Sequence, residues 1–138
     1  MDQPCFYRVS VKGIVIDEAG RVLLTREENG QWEILGGGLD HGEDPIAGLK
    51  REIREEAGLA VTKVSESPKY FITVPHPKGT HHFVNVIYEV ELASLDFIPS
   101  EECQELRFFS PEEMATVPLC ANVEALRKIL AGEAKPAA

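Results

Sequence analysis

The segment from Gly36 to Leu59, GGGLDHGEDPIAGLKREIREEAGL, sets a run of glycines directly ahead of a short helix that carries three glutamates. Asp44 followed by Pro45 predicts where that helix starts, a capping carboxylate before a proline in the first turn. Gly58, at ease in the left-handed conformation, predicts where it stops. On a helical wheel Glu52, Glu55 and Glu56 fall within about 100° of one another. Ile46, Leu49, Ile53 and Ala57 form an adjoining apolar stripe suited to packing on a sheet. Like charges so close repel unless a cation stands among them. A hard divalent ion such as Mg²⁺ answers that need, because it prefers oxygen ligands and bridges carboxylates to phosphates.

The 138 residues fit one domain, 1–138, with its own hydrophobic core and a frayed tail expected over 132–138. The formal net charge is -9 and no basic stripe interrupts it, which argues against a nucleic-acid polymer as partner. Cys5, Cys103 and Cys120 are odd in number and widely spaced, fitting neither a disulfide framework nor a metal knuckle. A reducing, cytoplasmic setting is expected. MDQPCFY carries neither a basic nor an apolar signal region and no apolar run is long enough to cross a membrane, so neither export nor membrane insertion is expected.

Periodicity predicts a strand over 6–16, a turn at 17–20 and a returning strand over 21–25. A short apolar strand, 32–35, leads into the glycines. Further strands are expected over 61–64, 69–74, 82–92 and 105–109, with a proline- and glycine-bearing loop at 75–80. Ser110-Pro111-Glu112-Glu113 reads as the cap and first turn of a short helix, and 121–130 as another. One mixed sheet held between helices accommodates these elements.

A glycine, five residues, a glutamate, seven residues, then Arg-Glu-apolar-x-Glu-Glu-x-Gly-apolar: this pattern is met by Gly37, Glu43, Arg51, Glu52, Ile53, Glu55, Glu56, Gly58 and Leu59. In these residues the chain resembles the Nudix hydrolase family and its MutT-like members. The resemblance implies an α/β fold, an α/β/α sandwich with a mixed central sheet. It implies Glu52, Glu55 and Glu56 as ligands of Mg²⁺ or Mn²⁺, with the Gly36 carbonyl as a further ligand. Arg51 is expected to hold a carboxylate in place and to reach back to Glu43, which makes Glu43 structural. A loop glutamate assists in some members, and Glu102 fits best here, with Glu101 and Glu105 as competitors. Either Glu52 or the loop glutamate could act as base.

Substrate contacts are expected from the loop containing Glu28 and from His81 and His82 beside the 75–80 loop. Trp32 reads either as core packing or as a stacking platform for a base; the two histidines read either as edge residues or as contacts. Three positions depart from the usual pattern: Leu35 where a proline commonly stands, Gly38 as a third glycine that should loosen the turn, and Gly48 within the helix at a cost of about 1 kcal/mol.

The implied reaction is metal-dependent hydrolysis of a diphosphate linkage in a nucleoside diphosphate joined to another moiety. A nucleoside triphosphate pyrophosphatase is the first expectation, and a hydrolase of ADP-ribose, other sugar nucleotides or dinucleoside polyphosphates the second. A non-catalytic nucleotide-binding module is the rival of a different class. An isoprenoid diphosphate isomerase would need a cysteine–glutamate pair that Cys103 is poorly placed to supply. The expected partners are a small nucleotide or nucleotide-sugar and, at most, a second copy of the chain as a homodimer.

Overall fold

A computed structural model describes residues 6–133. They run as β1 (Tyr7–Ile14), β2 (Val22–Arg26), β3 (Trp32–Glu33), β4 (Leu35–Gly38), α1 (Pro45–Ala57), β5 (Val61–Val64), β6 (Tyr70–Pro75), β7 (His82–Leu92), β8 (Glu105–Phe109), α2 (Pro111–Met114) and α3 (Ala121–Leu130). The mixed sheet has the order β4-β1-β7-β5, with β6 also paired to β7. Its two central strands are parallel, Val9 opposite Val84 and Val11 opposite Val86; the other pairings are antiparallel. A smaller antiparallel sheet, β3-β2-β8, accompanies it.

Helices cover the two faces, which makes the fold an α/β/α sandwich. Leu49, Ile53 and Ala57 of α1 pack with Val11, Leu35, Tyr88 and Val90. Val123 and Leu126 of α3 pack with Ile14, Ile34, Ile72 and Ile87. Leu49 and Ile53 are fully buried, and burial of that kind contributes about 1.5–3 kcal/mol per side chain. Asp44 caps α1 by accepting from the Ile46 and Ala47 N–H groups at 3.1 and 3.0 Å, and Gly58 ends the helix at φ 66°. Ser110 and Glu113 close a reciprocal capping box on α2.

The structure differs from expectation where the chain enters the glycines. The predicted strand 32–35 is divided: Trp32 and Glu33 join the small sheet, while Leu35 joins Gly36–Gly38 in the mixed sheet. Gly38 is therefore a paired strand residue opposite Ser10, with the Arg8 guanidinium lying where a side chain would go, and it is not loose. At the other end, Gly132 and Glu133 fold back on α3, the Glu133 N–H donating to the Lys128 carbonyl at 2.8 Å. Residues 134–138 of the expected tail lie outside the described residues.

Candidate active site

β4 and α1 run side by side, and the glycines of one let the carboxylates of the other approach the backbone. Gly36 has φ 120°, and its N–H donates to Glu56 Oε1 at 2.6 Å. A Cβ on Gly37 would sit 2.5 Å from Glu52 Oε2. Any side chain there would push Glu52 off the strand.

Arg51 organises the outer side of this groove. Its Nε and Nη2 donate to the two oxygens of Glu43 at 2.7 and 2.9 Å, and its Nη1 donates to Glu52 and Glu55, each at 3.0 Å. Nη2 also reaches the Gly38 carbonyl at 3.3 Å. Such a bidentate fork locks geometry as well as charge. The Arg51 hydrogen bonds, with the Asp40 N–H, hold the Glu43 carboxyl down at about 2. Glu43 is thus a brace for Arg51.

Gly48 explains itself here. A Cβ on it would lie 2.7 Å from Leu39 Cδ1 and 2.8 Å from Glu43 Oε1. The helix gives up an alanine so that the glycine loop can close over it.

Glu56 differs from its neighbours. It is 6% exposed, whereas the Glu55 side chain is 60% exposed. Burial pushes its carboxyl up to about 8, against the pull of Lys12 and the Gly36 N–H, and nearby Glu102 pushes it further in the same direction. Glu102 is brought there by a loop stapled to the end of α1. Ser100 Oγ donates to the Glu56 carbonyl at 2.6 Å, the Ile98 N–H to the Ala57 carbonyl at 2.8 Å, and Thr25 Oγ1 to the Glu102 carbonyl at 3.0 Å. Of the competitors, Glu105 pairs with Arg26 at 3.3 Å, and Glu101 shares an open depression with Glu27, Glu28, Asn29 and Glu102 itself.

Beside the groove opens a cavity of about 340 Å³, walled by Phe83 and Asn85 of β7, Val74, Pro75, Glu33, Lys12 and the start of α3 at Cys120–Asn122. Asn122 Nδ2 donates to Glu33 Oε1 at 2.7 Å and to Asn85 Oδ1 at 3.0 Å, so three elements are tied across its floor. The Cys120 thiol donates to Glu27 Oε1 at 3.1 Å. Burial first, then Glu33 and Glu27, push that thiol far above its ordinary range, so it stays protonated. Glu27, Glu33 and Cys120 bring one donor atom each within 4.8 Å of one another. The proton on sulfur and the Lys12 ammonium 3.8 Å from Glu33 already satisfy this group.

The predicted residues therefore fall into three sets. Glu52, Glu55, Glu56, Arg51, Glu43, Gly36 and Gly37 come together in the groove, with Glu102 facing Glu56. Glu28 stands at the rim, its N–H bonded to the Glu101 carbonyl at 2.9 Å. Trp32, His81 and His82 do not line the cavity. Trp32 is 4% exposed, packed edge-on against Phe109 with ring centres 4.8 Å apart, and belongs to the core. His81 packs against His76 on the β6–β7 turn, and His82 against Tyr7, its exposed partner on β1. Lys12, Glu33, Asn85 and Asn122 escaped the sequence reading. Their one signal was a polar residue interrupting an apolar run, as in VSVKGI, WEI and FVNVI.

A family model for the NUDIX domain matches residues 6–131. The chain belongs to the NUDIX domain family. As a Nudix pyrophosphohydrolase it is an enzyme, and its relatives agree on that class. A MutT-like protein of Streptomyces ambofaciens is 32% identical over 113 residues, 81% of this chain and 70% of that protein. The nucleoside triphosphatase NudI of Escherichia fergusonii is 32% identical over 108 residues, covering 73% and 74% of the two chains. The solution structure of the E. coli ORF135 protein superposes with a TM-score of 0.74 at 25% identity, over 97% of this chain and 96% of that one.

Proposed function

We propose that this Nudix enzyme hydrolyses the phosphoanhydride of a nucleoside triphosphate, with the nucleoside in the cavity and the phosphates along the glycine strand. The observation that carries the reading is the continuity of the two regions. Lys12 lines the cavity and bonds to Gly36, and the N–H of Gly36 meets Glu56 in the groove. A cavity of about 340 Å³ is at the small end for a ligand site, where ~300–1,000 Å³ is usual. It suits one nucleoside, which favours a triphosphate over a dinucleoside polyphosphate.

The donor set suits Mg²⁺ or Mn²⁺: hard carboxylate oxygens of Glu52, Glu55, Glu56 and Glu102, one of them buried beside another of like charge. When bound, such an ion supplies neutralisation of the phosphate oxygens and a lower pKa for the attacking water. The chain's own residues do the rest. Arg51 fixes the orientation of Glu52 and Glu55 through its bonds to both. Glu102, on its stapled loop, accepts the proton of the water as the water oxygen bonds to phosphorus. The bridging P–O bond then breaks, and its electron pair leaves with the released phosphate group. Glu52 is the poorer base, since its carboxylate is held by Arg51.

Glu28, on the rim beside Glu101, meets the outer end of the substrate. The setting this reading implies is the reducing cytoplasm, in keeping with Cys103 and Cys120 as free thiols. Among the described residues no helix is long and apolar enough to cross a membrane. A screen of nucleoside triphosphates, ADP-ribose, sugar nucleotides and dinucleoside polyphosphates with Mg²⁺ or Mn²⁺ tests the proposal. The expected result is nucleoside monophosphate plus pyrophosphate from a triphosphate, abolished by chelation. Preferential turnover of ADP-ribose would move the substrate to the sugar-nucleotide class, and binding with no turnover of any compound would contradict the proposal.

A further inference from the structure

Lys12 is a charged side chain in the centre of a sheet, only 7% exposed. The register of β1 on β4 sets it opposite Gly36. Its Nζ donates to the Gly36 carbonyl at 3.0 Å and to the Ile34 carbonyl at 3.4 Å, with Glu33 Oε1 at 3.8 Å.

The Gly36 oxygen is the one main-chain ligand that the family resemblance assigns to a metal, and here it already carries a cation. An ion coordinated at about 2.1 Å to an oxygen that also accepts from Lys12 would lie no more than ~5 Å from the ammonium. Repulsion between a dication and a monocation at that distance weakens binding about tenfold even at the dielectric of bulk water, and more in a partly buried site. Glu52 and Glu55 also face a cation, Arg51, and Glu56 feels Lys12, but a carboxylate brings its own negative charge where the Gly36 oxygen is neutral, so the carboxylates remain the better seats.

We infer that Lys12, and not a divalent ion, takes the Gly36 carbonyl, so that the ions are held by side-chain carboxylates alone and Lys12 stands as a fixed cation where the cavity meets the groove. This rests on the reading of the groove as the metal site. A phosphate next to the nucleoside then passes a positive charge that is present before any ion binds, and Lys12 is a positioning residue for that phosphate.

Mn²⁺ is the probe. Anomalous scattering from crystals of the intact chain soaked in Mn²⁺ should place peaks at Glu52, Glu56 and Glu102 and none within coordinating distance of the Gly36 oxygen. In K12M a peak should appear at that oxygen, and titration followed by electron paramagnetic resonance should show an added or about tenfold tighter Mn²⁺ site. KM for the nucleotide should rise in the same variant. A wild-type peak on the Gly36 oxygen, with Lys12 displaced, would overturn the inference and leave the proposed function standing. No Mn²⁺ at any of these carboxylates would overturn both. If K12M fails to fold, the wild-type peak positions decide alone.

Discussion

The groove and the cavity meet at Lys12 but are built in different ways. The groove is made from one continuous stretch, Gly36 to Glu56, with Glu102 added from a loop. The cavity draws on Lys12, Glu33, Phe83, Asn85 and Asn122, residues that become neighbours only when four elements, β1, β3, β7 and α3, pack. In the groove a single guanidinium aligns the carboxylates; in the cavity an amide network spans β3, β7 and α3. The chemistry of the reaction is thus held by local spacing, and recognition by tertiary structure. Substitutions in the two regions should separate accordingly, turnover from binding.

The largest effect is expected at the buried carboxylate. E56Q should lower kcat by about 10³-fold or more, since a ligand able to compensate the metal charge is lost, while the fold and the nucleotide KM change little. Steady-state kinetics and circular dichroism check both halves. Next comes Arg51→Lys. An ammonium cannot reproduce the fork on Glu43, and a fall of about 10–100-fold in Mn²⁺ affinity or kcat is expected. On the cavity side, N122A removes the donor shared by Glu33 and Asn85. It should raise KM about tenfold with kcat nearly unchanged. A kcat loss without a KM change in N122A would break the division between the regions.

Two smaller effects sharpen the picture of the groove. The Glu56 carboxyl sits at about 8 in the fold against 4.5 for the ordinary group. The metal-free folded state therefore binds this proton more tightly than the unfolded chain does. Its stabilising effect is complete below pH 4.5 and is lost as pH rises through about 8, a slope that E56Q should remove in thermal melts without metal. Mn²⁺ affinity should run the other way and rise across the same interval, as the proton is displaced. The last is G48A. Alanine favours a helix by about 1 kcal/mol over glycine, but its Cβ meets a Glu43 that Arg51 holds in place. Overpacking of that kind costs about 1–3 kcal/mol, so denaturant melts should show G48A slightly less stable than the parent.

How much of this was legible in the chain follows from the same contrast. Asp44, Pro45 and Gly58 mark the bounds of α1 because caps act within a few residues, and the Arg51 contacts follow from one helical turn. The break between Trp32–Glu33 and Leu35–Gly38 was not legible, since a four-residue apolar run carries no sign of which sheet each half joins. Trp32 reads alike as core or platform until the bridge to Leu119 and the packing on Phe109 decide for core. Spacing to the last strand ranks Glu102 ahead of Glu101 and Glu105, but its approach to Glu56 depends on Ser100 reaching the Glu56 carbonyl across 44 residues of sequence. Gly48 resembled a mere weakness in the helix because Leu39 and Glu43 are its neighbours only after the loop closes. Lys12 was passed over for the same reason: a lone lysine in a strand shows its partners only when β4 pairs beside it.

The most direct measurement is a crystal structure of the chain with Mn²⁺ and a non-hydrolysable nucleoside triphosphate. The nucleobase is expected against Phe83, Asn85 and Asn122, the phosphates along Gly36–Gly38, and Mn²⁺ between them and Glu52, Glu56 and Glu102. Phosphates and Mn²⁺ bound away from those carboxylates, with the Glu52 and Glu56 side chains contacting neither, would contradict it.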